Sequence, residues 1–290
     1  MIWNLGSINA DHFYSVPRLP GPGETLAATA FRKGLGGKGA NMSVAAARAA
    51  ARVAHIGAVG PDGGWARDLL LEYGVDPAIA SVKTPTGHAN ICIDPAGENN
   101  IVLFPGANRE ISEDQIGQAL TEASPGDFLL LQNETNGQAH AARMAKVLGL
   151  RVVYAAAPFD LDAVKEVIGH VDLLLLNEVE AAQLIAGTGK PIEEIGVRDV
   201  VITLGAEGCK WVSNTRKSQH LAPAYKVTPV DTTGAGDTFT GYLVASLDRG
   251  LEMEDALDLA QRAAALMVMR RGTADVIPDL KDIQDHDFSA

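Results

Sequence analysis

The sequence predicts an α/β protein, a mostly parallel sheet with helices on both sides and a small β-sheet attached to it. Three observations carry this. Four apolar runs recur after residue 125, FLLLQ (128–132), VVYAA (152–156), LLLL (173–176) and VVITL (200–204), each bounded by polar residues, glycine or proline; continuous apolar character over strand length suits strands buried on both faces. Helical patterns such as QAHAARMAKVLG and EVEAAQLIAG lie between them, and strand alternating with helix means a parallel sheet wrapped by helices. The N-terminal third breaks this rhythm: residues 12–33 hold Pro17, Pro20 and Pro22 with little helical periodicity, and 89–108 reads as two strands about a turn at Pro95–Asn100.

In chain order, IWNLGSI is a first buried strand, and GLGGKGANMSVAAARAA (34–50) sets glycines before a helix of small residues. The proline-rich segment and the 89–104 hairpin together read as a small antiparallel flap. After the alternating region, TGKPIEEIGVRD leaves room for one or two helical turns at about 1.5 Å per residue. Two helices close the chain, about 237–249 and 254–271, and the second ends in basic residues before Gly272, a helix stop that complements the dipole. No linker, charge block or low-complexity run cuts the 290 residues. One main domain over 1–290 is expected, of a size that buries roughly 75% of its unfolded surface.

The net charge of -12 argues against nucleic acid as a partner. The apolar runs are of strand length, short of the ~20 residues that span a bilayer. The start, MIWNLGSINAD, lacks the basic and apolar regions of a signal peptide. Cys92 and Cys209 stand apart and form no metal spacing. These readings place the protein in the cytoplasm, with no membrane partner.

Chemistry concentrates in DTTGAGDTFTGYL (231–243). Helix N-termini carry unpaired N–H groups and partial positive charge. Gly234 and Gly236 let Gly234, Ala235 and Gly236 turn their amides toward one spot, a nest for an anion, phosphate above all. Asp237 at that helix start cannot bind phosphate itself, since like charges repel. It suits a neutral hydroxyl that will attack phosphorus: the carboxylate takes the proton while the amides stabilise the transferring group. The plain alternative is a helix cap. Neither the dinucleotide fingerprint nor G-x-x-x-x-G-K-[ST] is present, because Phe239 stands where the former needs glycine and Gly39 follows Lys38. Asn9, Asp11, Lys38 and Asn41 are forked partners for vicinal hydroxyls; singly, each also reads as a turn, cap or solvated residue.

GGKGAN after GSINAD, with DTTGAGDTFTG near the C-terminus, resembles the ribokinase/pfkB family of carbohydrate kinases, and PGETL (22–26), GAN (106–108), NEVEA (177–181) and TLGAEG (203–208) fall in the expected order over nearly the whole chain. The resemblance implies a three-layer α/β/α domain and a β-sheet lid over the sugar, formed by about 10–33 and 87–106. It implies an ATP-dependent sugar kinase, ribose O5 first among acceptors, with deoxyribose, fructose, phosphorylated sugars and nucleosides as alternatives and a non-catalytic sugar sensor as the competing class. It assigns Asn9, Asp11, Gly37, Lys38, Gly39, Asn41 and Glu134 to the sugar, Asp237 to general base and Gly234, Ala235 and Gly236 to the anion hole. Asn177, Thr203, Gly205, Gly208, Gly236 and Gln261 fall to ATP, and Glu180 to Mg²⁺ through water. Asp231 and Thr233, with carbonyls of Met267, Arg270 and Gly272, would hold K⁺, although Val276 stands where the family tends to have a small polar residue. A homodimer through the lid is implied as well. Independently of the family, Glu134, Asn177 and Gly205 each follow the carboxyl end of a predicted parallel strand, where open α/β sheets bind ligands.

Overall fold

The computed structural model describes residues 1–288. Strand β1 (Ile2–Leu5) passes into an excursion, β2 (Asn9–Ser15) and β3 (Ala30–Gly36), and then into helix α1 (Lys38–Arg48). The chain continues through β4 (Val53–Val59), α2 (Gly64–Glu72) and β5 (Val75–Ser81) to the hairpin β6 (Gly87–Ile93) and β7 (Asn99–Phe104). Regular alternation follows: α3 (Glu113–Leu120), β8 (Phe128–Gln132), α4 (Gln138–Val147), β9 (Arg151–Ala155), α5 (Leu161–Val167), β10 (Leu173–Asn177), α6 (Glu178–Thr188) and β11 (Asp199–Thr203). The hairpin β12 (Cys209–Ser213) and β13 (Ser218–Ala222) precedes α7 (Ala235–Asp248), α8 (Met253–Val268) and α9 (Leu280–Asp285).

The large sheet has the order β13-β12-β11-β10-β9-β8-β1-β4-β5. Its strands from β11 to β5 pair in parallel, and the β12–β13 hairpin adds antiparallel pairs at one edge. The sheet grows outward from β1 in both directions, so the winding reverses between β1 and β8. Beyond the carboxyl ends of such strands lies the crevice in which open α/β sheets bind ligands.

The continuous apolar runs are explained by two cores. Ile2, Phe128 and Leu130 face a core shared with α1, α2, α7 and α8, whereas Trp3, Leu5, Leu129 and Leu131 face one shared with α3 to α6. Helix α7 is the most enclosed, with every residue from Asp237 to Leu247 buried. It packs on α1 at Gly241, where a Cβ would lie 2.5 Å from the Ala45 Cβ and 2.6 Å from the Met42 carbonyl oxygen. Only glycine permits that approach, and it sets the distance between the starts of the two helices.

The second sheet has the order β3-β2-β6-β7. Here the expectation of an antiparallel flap is corrected. β2–β3 and β6–β7 are antiparallel hairpins, but β2 pairs with β6 in parallel, beginning at Asn9 opposite Gly87, both strands following the carboxyl ends of parallel strands of the main sheet, β1 and β5. The shortened crossover after α6 is a single 3₁₀ turn at Ile192–Glu194. Among the described residues no helix is long and apolar enough to cross a membrane.

A chain of buried polar groups fixes the end of β1. Gln132 Nε2 donates to Asn4 Oδ1 (2.8 Å), and Asn4 Nδ2 donates to Ser43 Oγ and to the Gly39 carbonyl (2.8 Å each). Ser43 Oγ lies 2.8 Å from His55 Nδ1, and His55 Nε2 lies 3.1 Å from the Gly6 carbonyl. The relay is satisfied only by a neutral imidazole, with Nε2–H donating to Gly6 and Nδ1 accepting from Ser43. Burial pushes His55 from an ordinary 6.5 down to about 4. A depressed pKa gives stability that is present above 6.5 and lost as pH falls through 4, amounting to about 3 kcal/mol. Urea unfolding from pH 7.5 to 4 is expected to show the parent losing up to this much more than a His55→Gln variant, which cannot take up the proton.

Candidate active site

Helix α7 opens with Gly234 as N-cap at φ 74°, so Asp237 is its third residue and not its cap. Asp237 therefore does not cap α7, and as an acid in the first turn it also complements the helix dipole. The preceding DTT turn is held by Thr233 N donating to Asp231 Oδ1 at 2.9 Å and Ala235 N donating to the Thr232 carbonyl at 3.3 Å. Thr238 N makes the first full helical bond, to Gly234 O at 2.8 Å. The amides of Gly236 and Asp237 lie in the first turn, where an α-helix offers no acceptor. A Cβ built on Gly236 meets nothing within 4 Å, so the backbone there is open on one side.

The start of α1 faces it. Asn41 Nδ2 donates to Asp237 Oδ2 at 2.9 Å, in a buried contact between residues 196 positions apart. The other amide atom, Asn41 Oδ1, is buried with no partner. Glu134, just past β8, ties in a third element: its Oε2 accepts from Ser7 Oγ (2.5 Å) and Lys38 N (3.0 Å), and Ser7 Oγ accepts from Gly39 N (3.2 Å). Gly37 is the N-cap of α1. From the small sheet, buried Asn9 accepts from Asn108 Nδ2 at 2.8 Å, and Asn108 Oδ1 accepts from Ile8 N at 2.9 Å. Asp11 sits in β2, 7% exposed, with its carboxylate against Gly36, where a Cβ would lie 1.9 Å from Oδ2. No other residue fits opposite that carboxylate. Asn9, Asp11, Gly37, Lys38, Gly39, Asn41, Glu134 and Asp237 are thus brought to one crevice.

Charge explains the balance. Asp237 foremost, then Glu134 and Glu180, hold the Lys38 ammonium above its ordinary pKa against the opposing pull of burial. Burial first, then Glu134 and Asp237, push Asp11 up to about 7, with Arg32 opposing. One lysine therefore serves a crowd of carboxylates, which are acceptors for hydroxyl donors. Of the other nearby cations, Arg32 stacks 4.1 Å over Phe13, Lys33 lies 4.0 Å over Trp65, and Arg109 donates to the Thr135 carbonyl at 2.8 Å.

Two cavities meet beside the α7 start. One, of about 120 Å³, is lined by Lys38, Asn177, Glu180, Thr203, Gly236 and Asp237. The other, of about 430 Å³, runs past Thr203, Gly205, Gly208, Ala235, Gly236 and Gln261. Asn177 and Glu180 form a reciprocal capping box at the start of α6, each bond 2.8 Å. Burial raises the Glu180 pKa, opposed by its bond to the Asn177 amide and by Lys38.

No group of three or more His, Cys, Asp or Glu among the described residues could hold a metal. Glu180 beside the small cavity fits Mg²⁺ that arrives with phosphate oxygens and keeps most of its waters. The K⁺ donors are partly engaged: Asp231 Oδ1 accepts from Thr233 N at 2.9 Å and the Met267 carbonyl accepts Arg270 N at 3.0 Å, which leaves each with further lone pairs. Gly272 lies beyond them at φ 148°. Sequence reasoning missed Ser7 and Asn108, which stood inside the quoted GSINAD and GAN segments but carry no charge to draw notice. It also missed the Asn4–Ser43–His55–Gln132 relay, whose members are scattered singly among apolar residues.

Because Asp11 is raised from 3.8 to about 7, its contribution to stability is complete below 3.8 and lost as pH rises through 7. Asp11→Asn keeps the shape and cannot ionise. The stability difference, variant minus parent, is expected to grow by up to about 4 kcal/mol between pH 4 and pH 8 in urea unfolding.

Comparison with known proteins agrees with this geometry. The sequence profile described as pfkB family carbohydrate kinase matches residues 1–280. A ribokinase of Haemophilus influenzae is 37% identical over 291 residues, covering 94% of each chain. The structure of a Thermotoga maritima ribokinase superposes with TM-score 0.87 at 31% identity, covering 98% of both chains. That of an Arabidopsis thaliana ribokinase complexed with ribose and ATP superposes with TM-score 0.84 at 29% identity, covering 98% of this chain and 97% of that one. With its two sheets, its crevice at the reversal of strand order and these relatives, the chain belongs to the pfkB family of carbohydrate kinases.

Proposed function

We propose that the chain transfers the γ-phosphoryl group of ATP to the O5 hydroxyl of D-ribose, giving ribose 5-phosphate and ADP. The observation that carries this reading is the 2.9 Å contact between Asn41 and Asp237, which joins the polyol-binding side to the amide-bearing helix start. Sugar hydroxyls lie among Asn9, Asp11, Asn41 and Glu134, and a hydroxyl donor satisfies the orphaned Asn41 Oδ1. Asp237 accepts the O5 proton as the O5–P bond forms and the bond from phosphorus to the β–γ bridging oxygen breaks. The amides of Gly234 and Gly236 and the Lys38 ammonium stabilise charge on the transferring group, whereas the Ala235 amide expected beside them is bonded to the Thr232 carbonyl. Mg²⁺, when bound with the nucleotide, supplies further neutralisation of the phosphate oxygens, and Glu180, beside Asn177, would hold it through water. Ribose as acceptor and ATP as donor are supported by the Arabidopsis relative, solved with both.

The small sheet serves as the lid of this site. Water is a competing nucleophile, and a lid excludes it. Its outer strand β7 is exposed along its whole length, Ile101, Val102, Leu103 and Phe104 included, and Phe31 on the opposite edge strand is 58% exposed. An exposed apolar edge strand calls for a partner, and a second copy of the lid is the partner proposed.

An ATP-consumption assay over ribose, deoxyribose, fructose and nucleosides tests the substrate; the reading expects ribose to have the highest kcat/KM and is overturned if another acceptor exceeds it. Asp237→Asn is expected to bind both substrates and lose about 10²–10⁴-fold in kcat; near-parental turnover would assign the proton to another group. Gly236→Ala adds a methyl where the folded chain has open space, so stability holds or rises by up to about 1 kcal/mol. The same methyl obstructs the phosphoryl group, and kcat/KM is expected to fall roughly 10–100-fold. Val102→Lys is expected to halve the mass measured by light scattering; a monomeric parent would refute lid pairing.

A further inference from the structure

We propose that Gln261 reads the nucleobase, selecting one that presents an amino donor, as adenine does, over one that presents a carbonyl at that edge, as hypoxanthine does. This rests on the assignment of the 430 Å³ cavity to the nucleotide. The cavity begins at the Gly236 amide, where phosphate belongs, and runs between Val227, Phe239, Ala264 and Val268, an apolar slot suited to the plane of a base. Gln261 lines it and is 7% exposed.

The orientation of this amide is decided by chemistry. Gln261 Nε2 lies 3.1 Å from the Ala222 carbonyl, which can only accept, so the nitrogen must face Ala222. Oε1 is then left as an acceptor with no bond to the described residues. The Ala222 carbonyl closes β13 and packs against Gly208, where a Cβ would lie 2.1 Å from it. Adenine offers an N6 amino donor, and a 6-oxo purine offers an acceptor at that position. Two opposed acceptors lose a hydrogen bond and leave both desolvated.

The same stretch of α8 braces the opposite wall. Tyr225, which lines the cavity, donates its hydroxyl to Asp258 Oδ1 at 2.5 Å and accepts from Arg262 Nε at 3.1 Å. Phe288 packs on its ring, centroids 4.7 Å apart. Asp258 and Arg262 flank Gln261 on that helix, so the residue that reads the base and the residues that hold the slot closed move as one body.

Calorimetric titration of the unmodified chain with ADP and with IDP, without sugar, is the test. ADP is expected to bind about 10–100-fold more tightly. Gln261→Met, which keeps the length and loses the acceptor, is expected to bring the two affinities within about threefold; a merely structural role would weaken both alike and leave their ratio unchanged. Equal binding of ADP and IDP by the parent overturns the base-reading role and leaves the kinase assignment standing. Binding of neither overturns both. Should the variant fail to fold, the ATP-to-ITP ratio of kcat/KM in the unmodified enzyme gives the same decision, and a ratio near one overturns the proposal.

Discussion

The close approach of α1 and α7 is the constraint on which the site depends. Both helices begin at the crevice, and both carry small residues where they cross. Gly241 removes the side chain that would hold them apart, and Ala45 receives it. This sets the Asn41 amide 2.9 Å from the Asp237 carboxylate, across 196 residues of sequence. Neither group alone specifies chemistry. On the proposed mechanism their juxtaposition would point one carboxylate at a hydroxyl site and at a set of helix-start amides together, so that a packing choice made a turn away would become a catalytic distance. Burial of α7 from Asp237 to Leu247 then makes that distance stiff, because a buried helix cannot shift without opening the core.

Electrostatics sharpens the picture. Asp237, Glu134 and Glu180 act on Lys38, Asp11 lies within reach of Glu134 and Asp237, and burial strengthens the repulsion among these carboxylates. A crevice so acidic is a poor host for a bare phosphate. It suits a polyol, whose hydroxyl protons meet the carboxylates, and it leaves the phosphate to backbone dipoles and the lysine. His55 and Asp11 have opposite responses to pH, the imidazole forced neutral within the main body and the carboxyl held toward its protonated form in the small sheet. Both are costs of placing polar machinery where water is excluded.

Much of this was legible in the sequence, for identifiable reasons. Strands β8 to β11 declared themselves because burial on both faces demands uninterrupted apolar residues. The starts of α1 and α7 declared themselves because GGKGAN and DTTGAGDTFTG each set glycines beside charged or amide side chains and occur together; glycine alone precedes many helices. β4 was silent, since His55 and Gly57 interrupt its run, and the polar relay that ends at His55 could not be seen without the fold. The pairing of β2 with β6 was misread because hairpins advertise only their own turn, whereas the parallel pairing between them depends on where each leaves the main sheet. Asn177 and Glu180 were readable both as a cap and as a nucleotide contact; the capping box is present, and the cavity beside it leaves the second role open.

The two halves of the crevice differ in readiness, and the difference argues for how the site works. On the nucleotide side, the Gln261 amide is already fixed by Ala222 and the Tyr225 wall is already braced, so the slot is shaped before anything enters. On the sugar side, Asn41 Oδ1 is buried without a donor among the described residues, and the carboxylates of Asp237, Glu134 and Glu180 share one ammonium. A buried acceptor lacking its donor is destabilising, and a hydroxyl that supplies one recovers that free energy on binding. On the proposed mechanism, sugar would do more than fill space: its hydroxyl protons would supply the donor that Asn41 Oδ1 lacks. The small sheet bears Asn9 and Asp11, so a ligand that satisfied those groups would also pin that sheet to the main body. Binding of the acceptor and closure over it would then be one event, and the attacking hydroxyl would reach Asp237 in a space from which water has been displaced.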